Sequence, residues 1–374
     1  MKIIHIAPPF LALKEGMEYG GTERDILALN QKQREQGLET RIIATSDSTL
    51  NRTDTLLPTV DSIGVADIYD QNLTSSAHRS NTYAKLEHCA AVMRYVSNEP
   101  EAFLHVHDDY LLPFLNLLPN PSLLNIHGDY ETFWQPEKHP LLMRGYSPLI
   151  AISHSHKKIF ESHGFSIKGV VYNGIPIESF PFRDRKREYL LTLSAIAPHK
   201  GQKTAVSVAQ ALGRDLIIAG NVVDQAYFCS FKDAIAHDLS SHSHKLSAYL
   251  ELPANPKIVY VGSVNDEQKK PLFSHAKAFL MPIEWEEPLG LVMIEALACG
   301  TPVIAFNRGA VPEIVVDGKT GYIVETAAEM IEAVKKIDRI NPHDCRKYAE
   351  QNFSMDLMAQ RYLAWYQEIS AAKK

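Results

Sequence analysis

Short apolar runs separated by longer polar and mixed stretches recur along this chain. Residues 2–7, 40–45, 103–106, 122–126, 149–152 and 169–172 are such runs, too short to be helices and without strict alternation. That pattern fits strands buried on both faces of a parallel sheet. Between them the spacing turns helical. Thr22 can cap a helix that Gly37 closes, a second helix covers residues 81–97, and Ser153 opens a third that Gly164 closes. Strand and helix therefore alternate in the βα pattern of a parallel sheet covered on both sides. The alternation restarts at 189–193 and continues through strands at 215–219, 257–261 and 302–306, with helices at 291–298, 328–337 and 356–370. Residues 224–250 read as a polar, helical insert broken near 240–244. The turn signal Asn173-Gly174-Ile175-Pro176 and the polar stretch after it divide the chain into residues 1–183 and 184–355, with 356–374 as a terminal helix.

Composition narrows the class. With 374 residues, 45% apolar and 22% charged, the chain suits two ordinary globular domains. Cys89, Cys229, Cys299 and Cys345 show no Cys-x-x-Cys spacing, so neither a zinc site nor a disulfide framework is indicated and a reducing cytoplasm is expected. The apolar start is too short for a signal peptide, and no run approaches the ~18 apolar residues of a membrane span. Residues 1–180 hold 15 Lys and Arg against 21 Asp and Glu, net −6; the remainder holds 23 of each. An acidic first half without a basic stripe argues against nucleic acid as a partner. It gives no support for docking on an anionic membrane but leaves that open.

The chemistry concentrates at Glu287-Pro288-Leu289-Gly290-Leu291 and the helix it opens, which runs through Glu295 to Gly300. The first amides of that helix, at Gly290 and Leu291, lack partners inside it and sit at the positive end of its dipole, a ready site for a phosphate. Glu287 precedes that site and Glu295 follows it, on the order of 10 Å apart at helical rise. Carboxylates accept hydrogen bonds from hydroxyls, so the arrangement suits hydroxylated rings on both sides of a diphosphate, which describes a nucleotide-sugar. This reading takes Glu295 as an exposed carboxylate; solvated loop and helix charges are the alternative. Upstream, Gly20-Gly21 before Thr22 lets a phosphate or sugar approach backbone amides, although a surface turn would use the same pair. His105, His107 and His127 lie at strand ends, where open α/β sheets bind ligands. No His-x-x-x-His helix accompanies them, so no metal site is expected. Asp-x-Asp, the usual carboxylate pair for a metal on a nucleotide-sugar, is absent from the sequence.

Glu287 and Glu295 with seven residues between them, then Ala298-Cys299-Gly300-Thr301-Pro302-Val303, Gly309-Ala310-Val311-Pro312-Glu313 and Asp317-Gly318-Lys319-Thr320-Gly321, resemble the donor half of the family 4 retaining glycosyltransferases. The resemblance implies an α/β GT-B fold, two Rossmann-like domains with parallel sheets facing an interdomain cleft, and a last helix that crosses back to the first domain. It implies transfer of a sugar from a nucleoside-diphosphate sugar to an acceptor hydroxyl, with no cofactor beyond that co-substrate and no metal. His127, Glu287 and Lys200 take the catalytic roles. Gly20, Gly21, Lys200, Gly262, Val264, Glu287, Gly290, Leu291 and Glu295 contact the donor, Lys200 on the diphosphate, Glu287 on the sugar and Glu295 on the ribose. His107, Tyr130 and Trp134 are expected at the unidentified acceptor, the aromatics serving equally well in the core. The family's Gly-Arg in the phosphate loop is here Ser194-Ala195, so one of two cations is missing; His199 or Lys203 could replace it. A nucleotide-sugar epimerase of the same fold and a non-catalytic sugar-binding protein are the rival readings.

Overall fold

Within the first strand, neighbouring residues face opposite ways and meet different partners, which explains an apolar run without alternation. The computed structural model describes residues 1–14, 21–50, 55–64, 75–130, 148–253 and 257–373. It divides into two units, Met1–Gly174 with Met355–Lys374, and Ile175–Ser354.

The first unit holds β1 (Lys2–Ile6), β2 (Glu39–Ala44), β3 (Leu56–Pro58), β4 (Phe103–Val106), β5 (Ser122–Asn125), β6 (Leu149–Ala151) and β7 (Ile167–Val170), in the order β3-β2-β1-β4-β5-β6-β7, every pair parallel. Ile3, Phe103, Leu123 and Ile150 face one side, where Leu29 of α1 (Gly21–Glu35) and Met358, Ala359, Tyr362 and Tyr366 of the C-terminal helix Met355–Ala372 cover them. Ile4, Ile6, Leu104, Val106 and Leu124 face the other side, against Val92 and Val96 of α2 (Ser75–Val96) and Phe160 of α3 (His154–Ser162). Gly169 is required by this packing, because a Cβ there would lie 2.2 Å from the Trp365 ring.

The second unit holds β8 (Tyr189–Leu193), β9 (Asp215–Ala219), β10 (His237–Asp238), β11 (Ile258–Tyr260), β12 (Ala278–Met281), β13 (Val303–Phe306) and β14 (Gly321–Val324), in the order β10-β11-β9-β8-β12-β13-β14, again all parallel. Helices α4 (Gln202–Leu212), α5 (Asp266–His275) and α6 (Leu291–Ala298) belong to it. The sequence reading lacked β3, β10, β12 and β14. β12 was hidden because Ala-Phe-Leu-Met has no β-branched residue and follows a helix after two residues. The insert at 224–250 is not uniformly helical: it contains β10 between the short helices Gln225–Cys229 and Lys245–Leu250.

Residues 175–183, placed by sequence in the first domain, lie in the second unit. Arg183 N donates to Cys299 O at 3.3 Å, and Arg346 Nη1 donates to Phe180 O at 2.9 Å. Among the described residues no helix is long and apolar enough to cross a membrane.

Candidate active site

The strand order of the second unit turns at β8. From there β9, β11 and β10 extend one way, and β12, β13 and β14 the other. The carboxyl ends of β8 and β12 flank this switch point, the place where open α/β sheets hold ligands. The loop after β8 carries Lys200, and the loop after β12 carries Glu287.

Backbone contacts bring those loops together. Gly201 has φ 73°, and a Cβ there would lie 1.9 Å from Pro282 O. Only a glycine with positive φ fits this approach. Glu284 N donates to His199 O at 2.9 Å. Lys200 Nζ consequently donates to Glu287 Oε2 at 3.1 Å, while Trp285 Nε1 donates to the same oxygen at 2.9 Å. The ammonium also sits 4.1 Å from the Trp285 ring centroid, and the His199 ring packs on the indole at 4.9 Å. Glu287 is 9% exposed. A carboxylate so buried needs its partners, and here an ammonium and an indole N–H supply them.

The turn after β13 fixes the Glu287 backbone. A Cβ on Gly309, φ 56°, would lie 2.3 Å from Glu287 O and 2.4 Å from Glu287 N. Ala310 N donates to Glu287 O at 2.8 Å, and Gly309 N donates to Glu286 Oε2 at 2.7 Å. Gly290, φ 87°, opens α6 with no side-chain cap. The first amides of α6, Leu291 among them, are therefore left for solvent or an anion beside Glu287. Gly262 and Val264 follow β11, on the far side of β9. The Gly262 carbonyl accepts from Gly220 N at 2.9 Å, and Ser240 of the insert packs on this glycine.

Glu295 departs from its expected exposure. It is 3% exposed, and Lys269 Nζ of α5 donates to its Oε1 at 2.5 Å and to Asp266 Oδ1 at 2.8 Å. The reason is that residues 293–298 of α6 are all buried, so a carboxylate on this helix is enclosed with its neighbours. Sequence reasoning missed Lys269, whose pairing spans 26 positions and leaves no local signal. It missed Trp285 as well. There a signal existed, since residues two apart on an extended loop share a side.

In the first unit, the pairing of His5 with His105 across β1 and β4 places two imidazoles side by side, and His107 follows on the same face. The ring centroids of His105 and His107 are 4.1 Å apart, and those of His107 and His127 5.2 Å. Nitrogens of His5, His105 and His107 lie within 4.8 Å of one another, a convergence that helical metal spacing in the sequence does not reveal. Burial holds these imidazoles neutral, pushing His5 down to about 4, His127 to about 3 and the other two well below the usual histidine range. His107 is 6% exposed and turned into this cluster, away from the role of a surface acceptor contact. Tyr130 is buried against Phe160, Phe165 and His163, as a core aromatic. Gly21 is exposed at the start of α1, whereas Gly20 and Trp134 lie outside the described residues.

Comparison with known proteins agrees with this architecture. The chain is 28% identical over 148 residues to spore coat protein SA of Bacillus subtilis (strain 168), covering 37% of this chain and 38% of that protein. It is 28% identical over 205 residues to the alpha-maltose-1-phosphate synthase of Mycolicibacterium smegmatis (strain ATCC 700084 / mc(2)155), covering 50% of each. The chain thus spans half or less of the length of these curated relatives. The crystal structure of Anabaena Alr3699/HepE in complex with UDP and glucose superposes with a TM-score of 0.70 at 16% identity, over 98% of this chain and 100% of the other. Residues 177–352 match the family model for glycosyl transferases group 1. The chain therefore has the α/β GT-B fold, and its second unit carries the group 1 glycosyl transferase match almost from end to end.

Proposed function

We propose that the protein is a retaining glycosyltransferase that moves a sugar from a nucleoside-diphosphate sugar to an acceptor hydroxyl, without a metal. The observation that carries the reading is the Lys200–Glu287 pair at the switch point, beside the uncapped start of α6. Lys200 and the first amides of α6 face the diphosphate, and Glu287 accepts from sugar hydroxyls. As the anomeric C–O bond breaks, its electron pair passes to the diphosphate. Preorganised donors aimed at such developing charge contribute about 3 to 4 kcal/mol each in comparable sites. The acceptor oxygen forms its bond on the face the phosphate leaves, and its proton passes to the departing phosphate oxygen. The matched family of glycosyl transferases supports the reaction class, and the UDP and glucose complex of the Anabaena protein supports a nucleotide-sugar donor. The missing Asp-x-Asp supports metal independence.

Thermal-shift screening of UDP-, GDP- and ADP-sugars is expected to give one stabilising nucleotide series, unchanged by EDTA. Acceptor-dependent release of nucleoside diphosphate would then separate transfer from epimerisation, and the anomeric coupling of the product would report retention. A protein that no nucleotide stabilises would overturn the proposal. Gly309→Ala is expected to weaken donor binding at least about tenfold, about 1.4 kcal/mol. The added Cβ displaces the Glu287 backbone and must hold a left-handed φ. Calorimetry with the stabilising nucleotide-sugar checks this; wild-type affinity would show that the Gly309 contact does not set the site.

A further inference from the structure

The buried imidazoles of the first unit form a hydrogen-bonded chain that ends at His127. His5 Nε2 lies 2.8 Å from Gln33 Oε1, and Gln33 Nε2 donates to Tyr366 Oη at 2.9 Å. With Gln33 turned so that Nε2 donates to Tyr366 Oη, Oε1 faces His5 and only accepts, so His5 carries its proton on Nε2 and leaves Nδ1 bare. His107 Nε2 is 3.5 Å from that Nδ1, and His107 Nδ1 is 2.9 Å from His127 Nε2. A neutral imidazole has one N–H, so each assignment dictates the next. His107 donates from Nε2, its Nδ1 accepts, and His127 donates from Nε2.

We propose that His107 is a positioning residue: through this chain it fixes His127 as the Nε2–H tautomer, so that His127 presents a bare Nδ1 to accept a hydrogen bond from a substrate hydroxyl. His127 is partly exposed, and its Nδ1 makes no hydrogen bond to a described residue. The Asn125 amide nitrogen lies 3.0 Å from the same Nε2. Nitrogen and oxygen of such an amide exchange places by a half-turn, and the half-turn that aims Oδ1 at Nε2–H completes the chain. The opposite pattern, with Asn125 donating, would strip Nε2 and move the proton to Nδ1. His105 meets the chain at the end away from His127, where its Nδ1 lies 2.7 Å from Tyr366 Oη. The identity of the hydroxyl as a sugar's rests on the glycosyltransferase reading; the tautomer does not.

Long-range proton–nitrogen spectra of the full chain labelled with nitrogen-15 histidine test the proposal, with His127 assigned by the signals missing from His127→Gln. Protonated Nε2 on both His107 and His127 is the expected result, and an Nδ1–H tautomer of His127 overturns it whether or not the protein transfers sugar. With the screened donor, His107→Phe should lower kcat at least about tenfold with KM changed less than about twofold, the signature of an interaction used in the transition state. His107→Asn, which keeps an acceptor oxygen near the place of Nδ1, should restore most of that loss. If His107→Phe keeps wild-type kcat and the His127 tautomer, His107 has no positioning role. If the phenylalanine variant does not fold, the wild-type spectrum decides alone.

Discussion

Lys200→Ala is expected to lower kcat/KM by at least about 10³, or about 4 kcal/mol of transition-state stabilisation. Two effects add in that number. Ala195 stands where the sequence resemblance leads one to expect arginine, so on the proposed reading Lys200 is the cation left from that pair to meet the charge that grows on the diphosphate. The structure adds that the same ammonium holds Glu287, which without it keeps, among the described residues, only the Trp285 N–H on a 9% exposed carboxylate. Ala195→Arg in the Lys200→Ala background should recover part of the loss, since it returns a cation to the loop after β8. Lys200→Ala combined with Glu287→Gln separates the effects, because the neutral amide removes the unpaired charge while leaving the diphosphate unneutralised. Steady-state kinetics with the screened donor provides the measurement. A loss smaller than about tenfold would assign the phosphate to another cation, His199 or Lys203.

The strands of the first sheet were legible because buried parallel strands are written as continuous apolar runs, and β1, β4 and β5 stand where those runs lie. β12 was not, although it is a central strand beside β8, because its residues are as good in helices as in strands. At the site, the loop glycines carried the signal. Gly201, Gly290 and Gly309 all have positive φ; Gly201 and Gly309 mark close approaches of backbones, and Gly290 lies close to the side chains of Met293 and Glu287, contacts that only the fold reveals. Glu287 and Lys200 were found as separate motifs; that they touch follows from strand order, which no local pattern encodes. The histidine cluster failed for the same reason. His5 and His105 are 100 positions apart in the chain and opposite each other in the sheet, so spacing rules built for single helices could not see them.

An exposed carboxylate, as the sequence reading takes Glu295 to be, would tolerate Glu295→Ala with the fold intact. The structure reverses that expectation. Removing the carboxylate leaves Lys269, 4% exposed, with the partly exposed Asp266 as its one acidic partner among the described residues. Breaking a buried pair from one side costs about 3 to 5 kcal/mol, and Asp266 places this case near the lower figure. For a unit of this size, about 3 kcal/mol corresponds to a fall of roughly 6 to 12 °C in the midpoint of its thermal transition. Replacing both partners, Glu295→Leu with Lys269→Met, should restore most of the stability, since apolar residues of similar volume substitute for a buried ion pair at little cost. That double variant also separates structure from ligand binding. If Glu295 holds the ribose, the repacked protein should regain its melting midpoint while nucleotide-sugar affinity stays weak by calorimetry. If affinity returns together with stability, Glu295 serves the fold through Lys269 and the ribose is held elsewhere.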